Sequence, residues 1–358
     1  MTESGVHNVT PYLTVIVPAY RCAGMLQRAL DGMMASDLPR SEWELIVVDD
    51  GSPDETPAVA RRFADLVLTT PEGPRGPGWA RNMGADVARG EVLMFVDADV
   101  VVAPDALSRF AAAFRESRGV SAVFGSYDQT PEHPGLISQY RNLLHHRVHH
   151  EQTGAAHTFW AGCGAIRRDS FLAVGGYDAL RYPRPQIEDI ELGYRLSDAG
   201  YRIVLDPRIQ GKHLKVWTLR SMMRADLHDR AIPWMRLLLE RGDTMRETTL
   251  NLQRKEKVLT ALMGVAMFSF VAALLGAGLV WLAVMFASLL IIVLGNLPLF
   301  RWFARVRGMS FTLSVVPLRL LFYVESCLGA AWAIITSRLQ SSHVPKDATR
   351  SSSGRAIA

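Results

Sequence analysis

Two carboxylates one residue apart, Asp97 and Asp99, directly follow the apolar run Val92–Val96. An uninterrupted apolar run of this length is typical of a strand covered on both faces. Open α/β sheets bind ligands at the carboxyl ends of their strands, which is where these two acids would lie. Neighbouring carboxylates repel each other and are costly to bury, so the pair favours a bound cation. Oxygen ligands suit Mg²⁺ or Mn²⁺, often together with substrate phosphates, and the alternative is a solvated Asp-rich turn.

Strand and helix patterns alternate on both sides of these acids. Short apolar runs predict strands at residues 13–17, 44–48, 65–69, 120–125 and 201–205. Apolar residues at helical spacing predict helices at residues 25–34, 57–64, 79–89, 104–117 and 192–199. This alternation predicts an α/β fold with a mostly parallel central sheet and right-handed crossovers.

A histidine-rich segment, residues 139–152, follows the strand predicted at 120–125. His145 and His149 share one helix face, as do His146 and His150. Such pairs can bind a metal ion, but no Glu stands between them as in HExxH and no Cys is near. The alternative is a polar helix close to the acceptor or the membrane surface.

The composition of the chain limits the binding partners and the cellular compartment that we expect. The 358 residues carry a net charge of +4 and leave room for about two domains. Lys and Arg cluster beside apolar segments rather than in a nucleic-acid stripe, so a membrane surface is the expected acidic partner. Cys22, Cys163 and Cys327 show no metal-binding spacing and predict reduced cytosolic thiols. The first ten residues lack a secretory signal pattern, so we expect the N-terminal part to stay in the cytoplasm.

Four motifs in order carry a family resemblance: VIVPAY at 15–20, ELIVVDDGSPDET at 44–56, ARNMGADVARGEVLMFVDAD at 80–99, and GGYD at 175–178 with an ED pair at 188–189. In this order they resemble the family 2 glycosyltransferases, which have the GT-A fold. The resemblance covers about residues 12–240. It implies a nucleotide-sugar donor, a divalent metal ion and, with the ED pair, an inverting reaction.

The resemblance also implies donor-side roles. Pro18 and Tyr20 would line the nucleotide base, and Asp50, with Asp49 beside it, would contact the base or ribose. From the residues alone, the two acids suit a helix N-cap equally well. Arg81 would help to hold the nucleotide and its phosphates, with a surface helix charge as the alternative.

In the metal site that the resemblance implies, Asp97 faces the ribose and Asp99 binds the ion that bridges the diphosphate. His213 would be a further metal ligand or diphosphate contact, although a lone His is more often structural. In the ED pair, the resemblance makes Asp189 the catalytic base beside Glu188. Without it, both acids could simply favour a helix N-terminus.

The acceptor side would be formed by residues 159–178. Gly162 allows close backbone approach, and Trp160 would either face the acceptor or pack in the core. Residues 214–257 combine aromatic and basic side chains, which predicts interfacial or linker helices. In this segment Arg230 would pair with Asp226 or meet a lipid phosphate.

An uncharged stretch from Val258 to Leu297 is about twice the ~20 residues that cross a bilayer. A Gly-Ala-Gly turn divides it into predicted spans at 258–275 and 279–297, and basic flanks place both ends in the cytoplasm. Residues 311–336 predict a third span; because a proline and two charges interrupt it, an interfacial helix is the alternative. The predicted catalytic domain is 12–213, and the polar tail 337–358 is predicted to be disordered.

These features together predict a membrane-anchored, inverting, hexosyltransferase-like enzyme at the cytoplasmic face. It would transfer a single sugar to a lipid-linked or polyprenyl-phosphate acceptor, because the chain lacks the Gln-x-x-Arg-Trp motif of processive synthases. Two alternatives stay open. A nucleotidyltransferase would share the metal acids but should show a Gly-rich phosphate signature. A non-catalytic scaffold would be expected to lose Asp97, Asp99 or Asp189, and all three are present.

Overall fold

The computed structural model of the chain describes residues 10–242 and 253–341. These residues divide into two compact units. The first includes residues 10–222 and 298–315, and the second includes residues 223–242, 254–297 and 316–341. The predicted cytoplasmic N-terminus (residues 1–9), the linker at 243–252 and the tail from residue 342 lie outside the described residues.

The first unit is built on one sheet of nine strands in the described chain. The strands are β1 Leu13–Ala19, β2 Trp43–Asp49, β3 Leu66–Thr69, β4 Val92–Val96, β5 Val100–Val102, β6 Ala122–Tyr127, β7 Gly154–Ala156, β8 Cys163–Arg167 and β9 Ile203–His213. The α-helices up to residue 224 are α1 Ala23–Met34, α2 Thr56–Arg61, α3 Pro77–Val87, α4 Ala106–Glu116, α5 Leu136–Glu151, α6 Arg168–Ala173, α7 Glu188–Asp198 and α8 Leu219–Arg224. The predicted elements are therefore present, whereas β5, β7 and β8 were not predicted and β9 is longer than predicted.

The sheet order is β3-β2-β1-β4-β8-β6-β9-β5, with β7 paired to β9. Strands β1 to β4 pair in parallel, which confirms the prediction from the alternating pattern. Beyond β4 the pairing is mixed, because β6 and β9 are parallel, whereas β8 is antiparallel to both β4 and β6, and β5 and β7 are antiparallel to β9. The described sheet is therefore mixed and not mostly parallel as predicted, because β5, β7 and β8 had no strand signal in the sequence. The α/β fold class is confirmed.

Two core layers cover the faces of the sheet, because successive strand residues point to opposite sides. Val15 and Val17 of β1 belong to the layer that contains α1 and α4. Ile16 belongs to the other layer, which contains α3 and α7. With both faces covered, the strand ends remain as places where functional groups can meet substrate.

The second unit is helical. It contains a π-helical turn at Ala225–Ala231, α9 Ile232–Arg241, α10 Arg254–Leu274, α11 Val280–Gly295 and the later part of α12 Leu297–Ser341. By length and composition, α10 and α12 could cross a membrane, and α11 is a shorter apolar helix. The predicted spans 258–275 and 279–297 thus correspond to α10 and α11. Residues 337–341 were predicted to be disordered, which is wrong, because α12 continues through them.

A polar cluster lies within the second unit. Arg319 donates hydrogen bonds to Glu256 at 2.6 Å and to Asn296 at 2.8 Å. Tyr323 donates to the same Glu256 carboxylate at 2.9 Å. One of the two charges that interrupt the predicted third span, Arg319, is therefore compensated inside the helical unit.

Gly193 allows α7 to approach the segment before β8. A Cβ at this position would lie 2.3 Å from the Phe159 backbone nitrogen. We expect Gly193→Ala to destabilise the first unit by about 1–3 kcal/mol, although Ala normally favours a helix by about 1 kcal/mol. Thermal unfolding of the full-length protein in detergent tests this expectation.

Gly24→Ala is the matched control, because Gly24 is also helical and a methyl group at its Cα would meet no atom within 4 Å. It should leave the unfolding temperature unchanged or raise it. Equal effects of the two substitutions would contradict the close approach at Gly193.

Candidate functional site

Asp97 and Asp99 lie in the turn between β4 and β5, as the apolar run predicts. The Asp97 amide donates to the Gly162 carbonyl at 3.2 Å, and the Val100 amide donates to the Asp97 carbonyl at 3.0 Å. Both carboxylates are partly exposed. The backbone of the turn is thereby fixed, while both carboxylates keep part of their surface exposed.

His213 reaches Asp99 because β5 is antiparallel to β9, a pairing that sets Val100 opposite His213. The His213 Nε2 atom lies 3.4 Å from the Asp99 carboxylate, and the Leu214 amide donates to the Asp99 carbonyl at 2.8 Å. Burial opposes ionisation of Asp99, but the hydrogen bond and charge of His213 outweigh it and lower the pKa of Asp99.

The donor set at Asp99 fits a divalent cation. His213 Nδ1 lies 2.7 Å from the Asn142 Oδ1 atom, so Nδ1 carries a proton and donates. In neutral His213, the Nε2 lone pair then faces a carboxylate oxygen, an arrangement that needs a proton or a cation between them. No group of three His, Cys, Asp or Glu side chains forms a ready metal centre in the described residues. Further ligands would have to come from substrate or water, as is usual for Mg²⁺.

Arg81 is buried, with only 4% of its surface exposed, so its interpretation as a surface charge is wrong. Its guanidinium donates to Asp97 at 2.7 Å and to Glu188 at 3.0 Å. Burial alone would lower the pKa of Arg81, but Asp97 and its other acidic neighbours raise it above the usual value. A permanent positive charge therefore joins an acid of the β4 turn to the first residue of α7.

Asp189 is held by backbone donors. Its carboxylate accepts hydrogen bonds from the Ala161 amide at 3.1 Å and from the Ile190 amide at 2.8 Å. Burial, followed by the charge of Glu188, raises the pKa of Asp189 to about 7. A carboxyl group with this pKa can both take up and release a proton near neutral pH.

The predicted nucleotide side lies at the ends of β1 and β2, where the Asp50 amide donates to the Ala19 carbonyl. Tyr20 is 42% exposed and Pro18 is partly buried. Asp49 is buried and accepts a hydrogen bond from the Ser52 amide, so the alternative of a helix N-cap is wrong for Asp49.

Asp50 holds the loop that precedes α3. It accepts hydrogen bonds from the Thr70 hydroxyl at 2.7 Å, the Arg75 amide at 2.9 Å and the Gly76 amide at 2.7 Å. It therefore does not cap a helix either. A carboxylate has about four acceptor positions, so roughly one is left for a ligand. Its contact with the base or ribose stays a prediction.

Trp160 packs among aromatic side chains beside the site. Its ring centroid lies 4.8 Å from that of Tyr127 and 4.7 Å from that of His145. Gly162 is required there, because a Cβ would lie 2.5 Å from the Trp160 ring. The acceptor-facing role of this segment stays a prediction. Arg230 belongs to the second unit, where it lies 3.6 Å from Asp226.

The histidines of α5 have structural partners. His146 Nδ1 donates to the Tyr127 carbonyl at 2.8 Å, and His149 Nδ1 donates to the Gly125 carbonyl at 2.9 Å. His150 likewise donates to the His146 carbonyl. The bonds of His146 and His149 fasten α5 to β6, whereas that of His150 lies within α5, and no metal cluster forms among the described histidines.

Sequence reasoning missed Tyr127 and Asn142. The Tyr127 ring lies flat on His213, with centroids 4.4 Å apart and planes 7° apart. Burial, then Asp99 and Asp97, raise the pKa of Tyr127 well above its usual value, so its hydroxyl stays protonated. Neither residue belongs to a short motif, and both come to the site only through the pairing of β6 with β9 and the packing of α5.

Residues 14–175, somewhat under half of the chain, match the family model described as Glycosyl transferase family 2. The chain is similar to Glycosyltransferase AglE of Haloferax volcanii, with 26% identity over 57% of this chain and 67% of that protein. It is also similar to Validoxylamine A glucosyltransferase of Streptomyces hygroscopicus subsp. jinggangensis, with 28% identity over 55% of this chain and 54% of that protein. The chain thus spans about two thirds of the first relative's length and about half of the second's.

Among solved structures, the chain resembles the mannosyltransferase PcManGT from Pyrobaculum calidifontis in complex with GDP-Man and Mn²⁺. The TM-score is 0.57 at 20% identity, over 90% of this chain and 87% of that chain. At this identity the likeness concerns the fold alone, and it confirms the predicted fold class.

Arg81→Met removes the cation that Asp97 and Glu188 share. We expect a loss of about 3–5 kcal/mol of unfolding free energy, because the buried Glu188 carboxylate loses its partner. The pKa of Asp189 should also rise, since Arg81 lowers it. Thermal unfolding measures the first effect, and the pH dependence of activity measures the second.

Arg109→Met is the control, because Arg109 forms an exposed i,i+4 pair with Asp105. Its loss should cost less than about 1 kcal/mol. A similar effect of both variants would mean that Arg81 is not a shared internal cation.

Proposed function

We propose, from the match of residues 14–175 to the model of Glycosyl transferase family 2, that the chain is a member of this family and an inverting, metal-dependent glycosyltransferase anchored to a membrane. It would transfer a single sugar from a nucleotide-sugar to a lipid-linked acceptor at the cytoplasmic face. The observation that carries the proposal is the arrangement in which Asp99 lies beside His213, while Arg81 links the neighbouring Asp97 to Glu188, the residue before Asp189.

The arrangement supplies two chemical needs of an inverting transfer. The acceptor hydroxyl must lose a proton as it attacks the anomeric carbon, and Asp189, with a pKa of about 7, is the base that takes it. Asp99 and His213 would hold Mn²⁺ or Mg²⁺, which neutralises the departing diphosphate. Asp97, fixed by Arg81, would face the ribose of the donor. The complex of PcManGT with GDP-Man and Mn²⁺ supports the choice of a nucleotide-sugar and a divalent ion.

The presence of such a base also distinguishes between the two acceptor classes, lipid-linked saccharides and polyprenyl phosphates. A sugar hydroxyl carries a proton that must be removed, whereas the oxygen of a polyprenyl phosphate is already ionised at neutral pH. We therefore favour a lipid-linked saccharide, whose hydroxyl needs Asp189, over a polyprenyl phosphate.

Membrane anchoring is supported by α10 and α11, whose apolar side chains are widely exposed. Leu275 and Leu279 between these helices are 81% and 82% exposed, and Phe268 is 64% exposed. Contiguous exposed apolar surface of this kind marks a membrane or protein contact. Arg307, shortly after α11, donates to Gln139 and to the Gln129 carbonyl within the first unit. Residues 298–315, which follow the apolar hairpin formed by α10 and α11, thus belong to the first unit.

Nucleotide release by membranes that contain the full-length protein tests the proposal. The assay would use Mn²⁺ or Mg²⁺ with a panel of nucleotide-sugars, each with and without lipid-linked saccharides and polyprenyl phosphate. Metal-dependent release from one donor, stimulated by a saccharide acceptor, is expected. Nucleotide binding without release from any donor would favour a non-catalytic scaffold, and stimulation by polyprenyl phosphate alone would reverse the acceptor assignment.

Asp189→Asn should lower kcat by about 10²- to 10⁴-fold, because the amide cannot accept the proton. In the unchanged protein, kcat/KM should fall about tenfold per pH unit below about pH 7, since protonation of Asp189 removes the base. Asp198→Asn, at the other end of α7, should leave both quantities unchanged. Unchanged turnover in Asp189→Asn would remove Asp189 as the base.

Loss of the His213 imidazole should weaken metal binding directly. His213→Ala is expected to raise the Mn²⁺ concentration for half-maximal activity. Asn142→Ala removes the hydrogen bond that orients the imidazole, and it should raise the same concentration by about 10- to 100-fold. Titration of Mn²⁺ at saturating donor measures both shifts. Identical titration curves for all three proteins would show that this pair does not bind the ion.

A further inference from the structure

A segment of α12, residues 298–307, packs on α5 within the first unit. Phe303 is fully buried, with its ring centroid 6.1 Å from that of Tyr140. Trp302 stacks on His146 at 5.9 Å with an interplanar angle of 18°. Arg307 donates to the Gln139 side chain at 3.0 Å and to the Gln129 carbonyl at 3.1 Å. The segment is therefore attached to α5 by specific contacts at several points.

The same helix, α5, touches the candidate site. His146, on which Trp302 stacks, donates to the Tyr127 carbonyl at 2.8 Å. The Tyr127 ring lies flat on His213, which faces Asp99. One turn before His146, Asn142 accepts a hydrogen bond from His213. Trp302 is thus connected to the metal-side pair through two intervening residues, His146 and Tyr127.

We propose that Trp302 and Arg307 are positioning residues for the donor side of the site. Trp302 holds His146, and Arg307 holds the beginning of α5 and the chain that leaves β6. Together they fix Tyr127 and Asn142, the two side chains that orient His213 toward Asp99. The consequence for catalysis rests on the proposed function, whereas the coupling itself is a property of the fold.

The segment that packs on α5 also has a particular position in the chain, directly after the two apolar helices. Residues 298–307 directly follow the uncharged stretch that ends at Leu297. The basic residues here fit the flank of a membrane span, and Arg305 and Arg307 are both exposed, yet Arg307 also donates to Gln139 of the first unit. The chain that leaves the apolar hairpin therefore also supports the site.

Hydrogen exchange of the full-length protein in lipid nanodiscs tests the coupling without any substrate. The reporters are the amides of Asp128 and Leu214, which donate to the Gly211 and Asp99 carbonyls. In Trp302→Ala we expect about tenfold faster exchange at both, because an aromatic contact that holds α5 is lost. Trp302→Phe should restore most of the protection. Arg305→Gln is the matched control and should leave exchange unchanged.

The outcome that overturns the proposal is faster exchange confined to residues 298–315 and α5, with both reporters unchanged. Arg307→Gln provides a second, milder test for the case in which Trp302→Ala unfolds the unit, and protected β1 and β2 amides identify a folded sample. In Trp302→Ala and Arg307→Gln the Mn²⁺ concentration for half-maximal turnover should rise together with reporter exchange. Changed exchange in a protein that transfers no sugar would count against the proposed function and leave the coupling supported.

Discussion

The site depends on how one buried cation is shared among several acids. Arg81 bridges Asp97 and Glu188, which lie on the β4 turn and at the start of α7. Asp189 lies next to this bridge, and its hydrogen bonds within the described residues come from backbone amides. Burial, followed by the charge of Glu188, raises the pKa of Asp189 to about 7, and the charge of Arg81 opposes that rise. Burial and the placement of a single positive charge thus together set the pKa of Asp189.

A short backbone segment, residues 160–162, contacts both the turn after β4 and Asp189. The Gly162 carbonyl accepts from the Asp97 amide, and the Ala161 amide donates to Asp189. Gly193 makes this possible, because it lets α7 come against the backbone before Ala161. The turn that carries Asp97 and the carboxylate of Asp189 are therefore hydrogen-bonded to adjacent residues of one backbone segment.

The sequence was sufficient where local pattern decides structure. Strands β1, β2 and β4 are covered on both faces, so their apolar runs are easily recognised in the sequence. The ends of these runs place Asp50 and Asp97 at the carboxyl ends of β2 and β4. Short or Gly-containing strands such as β5 and β8 carry no such signal. The burial of Arg81 depends on acids from distant segments, and spacing alone would present it as an exposed helix charge. His213 was proposed as a site residue only through the family resemblance, because the pairing of β5 with β9, which brings it to Asp99, has no local sequence pattern.

That strand pair has a consequence for the order in which the protein is made. β5 follows β4 directly, but its partner in the described sheet is β9, which the ribosome delivers much later. Contacts between distant segments form slowly, since the intervening chain must first be ordered. The packing of residues 298–307 on α5 comes later still, after α10 and α11 have been synthesised. During translation, the contacts that hold α5 can thus be completed only after the apolar helices α10 and α11 have been synthesised, so a nascent chain that stops before residue 298 lacks the packing of Phe303 on Tyr140.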